Sequence, residues 1–339
     1  MRAYPIAVML TAALGFRCAH ETVDRPPPPP VDWESLKPRP PAPAPKRPTA
    51  TDKERAVASA YTQALSAPDF TALSALLDEE VHFRFAGTMD AHGRDKALLA
   101  HEALLGRFEA RHVVASRVLL TDSAQVLEWN LVGVDKASRK PVGFKGVALL
   151  WTKDDGSLSD VHLYFDEAVV NAQLGKGPKA LAGLTPVPLP TPLSTGERQV
   201  IEQQQGLVET ANVKLVRAEL QALDDYQLSA YLATMADDVE LWTLQSSQPA
   251  KGKLGARGYY QTMANAISNL AISVESSWGI GRFVAVEYNL IGEQRQRLGW
   301  IPAQNSVIKL SVVDVVEVRD GKIARIFRYD DPMQLVSAP

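Results

Sequence analysis

The chain is nearly devoid of cysteine: Cys18 is the only one among 339 residues. No disulfide can form within it, which is compatible with any compartment and diagnostic of none. An excess of positive charge is also missing. Lys and Arg number 36 against 39 Asp and Glu, so nothing suggests a polyanion-binding surface and no nucleic-acid partner is expected. The segment from Ile6 to Gly15, behind Arg2, is apolar but too short to span a bilayer, and it reads as a signal-peptide core. Gly175-Lys176-Gly177 and Gly279-Ile280-Gly281 lack the residues that would complete a phosphate loop. Beyond His162 the chain contains no histidine. His92 and His101 flank a helix entry without metal-ligand spacing; both read as surface residues, and no metal or cofactor is expected. No serine or cysteine nucleophile can be joined to a histidine base.

What the chain does contain is a repeat. Glu128-Trp129-Asn130-Leu131-Val132-Gly133 returns as Glu287-Tyr288-Asn289-Leu290-Ile291-Gly292. Each copy leads to a shared ending. The first is Gly156-Ser157-Leu158, then His162-Leu163-Tyr164-Phe165-Asp166; the second is Gly321-Lys322-Ile323, then Phe327-Arg328-Tyr329-Asp330-Asp331. An internal duplication turns one chain into two small domains of one kind. The expected organisation is a leader over 1–20, a Pro-rich tether over 21–50, a first domain over 51–175, a Pro-rich linker over 176–195 and a second domain over 196–339. The tether, with consecutive prolines from Pro26 to Pro30, cannot bury a core and reads as semi-rigid polyproline. It is a spacer or, alternatively, a docking ligand for a proline-reading domain. Leader and tether together point to export, to the cell envelope, the periplasm or the medium. Cys18 is placed for lipid attachment, but Phe16 and Arg17 are poor neighbours for it. Lipoprotein and plain export both stand, and membrane contact is expected only through the leader or a lipid on Cys18.

Within each domain helices come first. Thr51 and Glu54 have capping-box spacing, and Ala56, Val57, Tyr61 and Leu65 follow at helical period. Ser194 and Glu197 repeat the device before a second long helix expected to run to about Leu223. Longer alternating runs come next: Val113 to Leu120, Gln125 to Val134, Val142 to Thr152 and Leu158 to Asp166. The second copy offers Leu270 to Trp278, Phe283 to Ile291, Ser306 to Val318 and Ile323 to Asp331. Helices followed by a curved, mostly antiparallel sheet make an α+β fold, without the βαβ alternation of a dinucleotide fold.

The helix-then-sheet order and the shared ending resemble the SnoaL-like group of the nuclear transport factor 2-like (NTF2-like) superfamily. That group includes polyketide cyclases; ketosteroid isomerase and limonene-epoxide hydrolase are more distant relatives. The resemblance covers both copies. It implies two cone-shaped domains, each with N-terminal helices on a curved sheet, and a cone that takes a small, mostly apolar molecule. It also implies a catalytic aspartate near the closing positions, moving a proton to or from an enolisable substrate. The fold itself hosts many unrelated activities and many non-enzymes.

Alternate residues of a strand share a face. His162, Tyr164 and Asp166 therefore line one side of the last strand of the first domain, and Phe327, Tyr329 and Asp331 match them in the second. A carboxylate in an apolar cone is poorly solvated, so its pKa rises toward neutrality and it can exchange protons. A tyrosine beside it can donate to a developing oxyanion, the division of labour used by ketosteroid isomerase. The catalytic candidates are Asp166, Tyr164, His162, Asp331 and Tyr329. The ligand-contact candidates are Phe85, Trp129, Asn130, Trp242 and Asn289, although Trp129 and Tyr288 also read as core or interface anchors. Family cyclases carry a histidine on the preceding strand; Gly143 to Thr152 and Ser306 to Val318 have none, and the latter carries the acid Asp314. All histidines beyond the leader lie in the first domain, which favours that domain as the catalytic one. A rival reading also stands: strand-ending aspartates often cap turns, and cones filled by their own side chains would make a non-catalytic association module of the envelope. Duplication further predicts an intramolecular pseudo-dimer joined through open sheet faces.

Overall fold

The computed structural model describes residues 52–67, 69–121, 123–188 and 199–335. The leader, the tether, Thr51 and the Ser194–Glu197 pair lie outside the described residues. The first repeat opens with α1 (Asp52–Ser66) and the single turn α2 (Thr71–Ser74). Then come β1 (Leu77–Phe85), β2 (Met89–His92) and α3 (Arg94–Leu105). Four long strands follow, β3 (Phe108–Leu120), β4 (Gln125–Asp135), β5 (Pro141–Thr152) and β6 (Leu158–Phe165), before α4 (Glu167–Leu174). After the linker come β7 (Gln199–Glu202), α5 (Leu207–Asp224) and α6 (Leu228–Thr234). The second repeat continues with β8 (Met235–Thr243), β9 (Ala250–Lys251), α7 (Gly252–Ala266), β10 (Ile267–Ile280), β11 (Phe283–Gln294), β12 (Val307–Arg319) and β13 (Lys322–Asp330).

The two sheets share one strand order. The first runs β2-β1-β6-β5-β4-β3-β7 and the second β10-β11-β12-β13-β8-β9. Within each repeat the pairing is antiparallel except where the first long strand meets the last: β1 pairs with β6, and β8 with β13, in parallel. The correspondence extends to irregularities. β3 is bulged between Ala115 and Arg117, and β10 between Val274 and Ser276. Such bulges bend a strand and increase its twist, which wraps each sheet around its helices. The fold is thus α+β, with two repeats, each of helices on a mixed sheet.

The second long helix begins later than its expected capping box. Gln199–Glu202 is a strand instead, pairing in parallel with β3 from Arg117↔Gln199 to Leu120↔Glu202. The helix starts at Leu207, where Glu209 accepts the backbone N–H groups of Gly206 (3.1 Å) and Gln204 (2.9 Å). That is the reciprocal half of a capping box, one turn into the helix. β7 thereby ties the start of the second repeat to the edge of the first sheet.

Each sheet has one face under its own helices and one face against the other sheet. β4 and β11 are consequently buried along nearly their whole length on both faces. The core of the first repeat runs through the interface to Trp278, Phe283, Ala285, Val313, Val315 and Tyr329. The core of the second is separate, built from α5, α6 and α7 on the inner face of its sheet around Tyr231, Tyr288 and Val312.

Candidate functional site

The side chains expected to form a catalytic row do not point into the cones. Tyr164 lies opposite Val147, and Tyr329 opposite Val313, on the faces that meet between the repeats. There each tyrosine reaches the carboxylate that opens the other repeat's copied phrase. The Tyr164 hydroxyl donates to Glu287 Oε1 at 2.7 Å, and the Tyr329 hydroxyl donates to Glu128 Oε1 at 2.6 Å. The surroundings then diverge. Glu287 also contacts His162 Nδ1 (2.8 Å) and Arg84 Nη2 (3.0 Å), and Arg84 pairs with Glu275 at 2.6 Å. Burial raises the Glu287 carboxyl, but His162 and Arg84 together outweigh it and hold it below the ordinary carboxylate range. Glu128 has Arg117 at 2.5 Å, yet burial dominates and its carboxyl is raised. His162 is thus a buried interface residue at 7% exposure.

The two closing aspartates are caps, and they meet. Asp166 Oδ1 accepts from the amides of Ala168 (2.7 Å) and Val169 (3.2 Å) at the start of α4, and its Oδ2 accepts from Gln245 Nε2 at 2.7 Å. Asp331 Oδ1 accepts from Met333 N (3.1 Å) and, across the interface, from Glu167 N (3.3 Å). Burial and the neighbouring Asp330 push Asp166 up to about 7; burial and Asp166 push Asp331 up to about 8.

The cone of the first repeat is packed by aromatic rings. Phe85 sits 4.7 Å from Phe165, Phe165 5.0 Å from Phe144, and Trp129 5.8 Å from Phe144, between ring centroids. Phe85 and Trp129, expected as ligand contacts, are both fully buried in this packing. Tyr61 bonds His101 in the same interior at 3.0 Å, so His101 is a buried core residue rather than a surface one, and burial lowers its pKa to about 4.

The cone of the second repeat carries charge at the matching positions. Leu163, Phe165, Ala148 and Trp129 correspond to Arg328, Asp330, Asp314 and Tyr288 through the strand registers. Arg328 forks onto Asp314 (Nε–Oδ1 2.9 Å, Nη2–Oδ2 2.6 Å) and donates to the Tyr288 hydroxyl at 2.6 Å. Burial and the nearby Glu219 push the Asp314 carboxyl upward, and the hydrogen bond from the Tyr288 hydroxyl opposes that. Burial raises Glu219 to about 7 and Asp330 to about 6. Buried polar atoms of this repeat without a hydrogen-bond partner among the described residues include Glu219 Oε1, Tyr231 OH, Tyr260 OH, Trp300 Nε1 and Asp330 Oδ1. Trp300 and Asp330 of these line a cavity of about 190 Å³, together with Arg328, Tyr259, Leu290 and Leu310 among others. The sequence sign of this cluster was Asp314, set between Val312-Val313 and Val315-Val316.

The remaining candidates lie between the sheets. Asn289 donates to Glu275 and accepts from Ser311 Oγ at 2.8 Å. Asn130 and Trp242, with Asp166 and Tyr329, line a cavity of about 460 Å³ between the repeats. Among the described residues, two groups bring together metal-ligand side chains, His82–Asp90–His92 and His82–Asp160–His162, with ligand atoms within 4.8 Å. The β1–β2 pairing sets His82 directly across from His92, a juxtaposition that linear spacing conceals.

The model of the SnoaL-like domain matches this sequence twice, over residues 58–161 and 216–326. The chain belongs to the SnoaL-like family. Solved structures similar to one SnoaL-like repeat include a candidate SnoaL-like polyketide cyclase from Jannaschia sp. CCS1, with 22% identity, 40% of this chain and 99% of that one covered, and a TM-score of 0.36. A candidate polyketide cyclase from Xanthomonas campestris pv. campestris shares 21% identity over 38% of this chain and 97% of its own, with a TM-score of 0.32. A candidate ketosteroid isomerase from Kribbella flavida DSM 17836 shares 21% identity over 36% of this chain and 78% of its own, with a TM-score of 0.29. No curated protein matches the sequence significantly.

Proposed function

We propose that the second cone binds a small, mostly apolar carbonyl compound and exchanges the proton next to its carbonyl, as a cyclase or isomerase does. The observation that carries this reading is the pair of unpartnered buried polar atoms, Asp330 Oδ1 and Trp300 Nε1, on residues that line one cavity. Buried polar groups are ordinarily hydrogen-bonded, so such a set calls for a ligand or solvent partner. At about 30 Å³ per water, a cavity of about 190 Å³ holds about six waters or one single-ring molecule. Asp330 is the acid/base of this reading. It lines the cavity with a free Oδ1, and burial sets its pKa at about 6, where proton transfer works in both directions near neutrality. Arg328 and the Trp300 ring N–H are the donors that line the same space and stabilise an enolate oxygen. The test is deuterium exchange into cyclohexanone followed by proton NMR. Saturable exchange is expected from the unmodified protein, with loss of about 100-fold or more in Asp330→Asn. Exchange at equal rates in both proteins defeats the reading.

The rival reading, association without catalysis, is favoured for the first repeat by the aromatic packing of its cone. We therefore assign the first repeat a scaffolding role for the second. The leader and proline tether support export of the whole, which mass spectrometry of the native N-terminus tests; an intact leader on soluble protein counts against it.

A further inference from the structure

The interface between the repeats is nearly two-fold, and one half of it is filled while the other is open. On the filled side, Asn289 is held by Glu275 and by Ser311 Oγ, and Arg84 and His162 occupy the space around Glu287. The strand registers give the counterparts on the open side. Asn130 replaces Asn289, Ser116 replaces Glu275, Lys145 replaces Ser311, Trp242 replaces Arg84 and Phe327 replaces His162. Both partners of the asparagine are thereby lost. Asn130 is 6% exposed, and its side-chain amide has no hydrogen-bond partner among the described residues. The two groups that plugged the mate have become flat rings, and a cavity of about 460 Å³ remains.

Its walls specify a ligand. Trp242, Phe327, Phe144 and Tyr329 supply apolar and aromatic surface. The other charges are already engaged: Arg117 with Glu128, Arg328 with Asp314, and Asp166 with two amides and Gln245. Lys145 is different. It faces the same side as its cross-strand neighbour Asn130, lies 5.9 Å from the Trp242 ring centroid, and has no carboxylate within salt-bridge distance among the described residues. The linker closes one wall, where Val187 N donates to Gly143 O at 2.8 Å and Thr185 to Pro188 line the space. A volume of this size lies within the range of about 300–1,000 Å³ usual for small-molecule pockets.

We propose that this cavity is a second ligand site, separate from the cone, for a flat apolar acid: a ring system between Trp242 and Phe327, with its carboxylate on Lys145 and the Asn130 amide. The test is calorimetric titration of the full chain with naphthalene-2-carboxylate and with its neutral counterpart, 2-naphthamide. One carboxylate is expected to bind per chain, more tightly than the amide. Lys145→Met should weaken the carboxylate about tenfold, the scale of one charge-assisted hydrogen bond, and leave the amide unchanged. Asn130→Leu should weaken both. Asp330→Asn and Leu290→Trp, which alter only the cone, should leave both affinities intact; circular dichroism checks that every variant is folded. Absence of saturable binding, or an unchanged affinity in folded Lys145→Met, overturns the proposal. Loss of binding in a folded cone variant does so too, and moves the acid to the cone, so this site fails or stands separately from proton exchange there.

Discussion

Leu163 and Arg328 occupy the same position in the two repeats, and one fills its cone while the other charges it. Leu163 lies across from Ala148, and Arg328 lies across from Asp314. A buried pair of this kind is costly to break and cheap to remove as a unit. Asp314→Ala alone is expected to cost about 3–5 kcal/mol in urea denaturation, because Arg328 is left buried without its carboxylate. The double variant Asp314→Ala with Arg328→Leu, which restores the residues of the first repeat, should recover most of that loss. Equal instability of single and double variants would refute this account.

The two reciprocal tyrosine contacts should differ in worth. Tyr164→Phe leaves Glu287 with His162 and Arg84, and a loss of about 1 kcal/mol is expected. Tyr329→Phe leaves Glu128 with Arg117 as its remaining charged partner; the expected loss is larger, about 2–3 kcal/mol. Chemical denaturation of the two variants gives the order directly.

Stability should fall as pH rises from about 5 to 8. Asp330, Asp166, Glu219 and Asp331 are raised to about 6, 7, 7 and 8. The folded chain then binds more protons than the unfolded chain across that window. A raised acid contributes its stability below its unfolded pKa and loses it as pH passes the folded value. Below pH 4 the sign reverses for Glu287, whose carboxyl is lowered. Thermal melting should therefore peak near pH 5. Asp166→Asn keeps a cap acceptor while removing the charge beside Asp331, so it should flatten the decline toward pH 8. A melting temperature that climbs from pH 5 to 8 contradicts this assignment.

Gly146→Ala should destabilise the first repeat without touching the second cone. A Cβ at Gly146 would lie 2.2 Å from the Trp129 ring, and a buried indole among Phe144 and Phe165 has no room to retreat. Overpacking of this kind costs about 1–3 kcal/mol. Fluorescence of Trp129 during denaturation reports the loss; a variant as stable as the parent would mean the first cone is looser than its ring packing indicates.

Much of the fold was legible because duplication doubled the signal. The copied phrases marked β4 and β11, and the shared endings marked β6 and β13, since strand periodicity depends on the chain alone. The start of α5 was misplaced because Ser194 and Glu197 have capping spacing, whereas Gln199–Glu202 finds the open edge of β3, a partner remote in sequence. Asp166 and Asp331 were readable as strand ends, and capping was one of the readings open. Glu219, Tyr231 and Tyr260 gave no sign, since each sits in an ordinary amphipathic helix until the helix closes over charged strands.

By itself the sequence determined that alternate residues act together: Tyr164 goes with His162, and Arg328 with Asp330, because a strand turns its side chains to two faces in strict alternation. Which face lines a cone and which meets the other repeat was decided only by tertiary structure. Both faces of β6 and β13 are buried, so neither burial nor polarity along the strand distinguishes them. The choice follows from where the helices and the second sheet come to rest, and that depends on contacts made far along the chain.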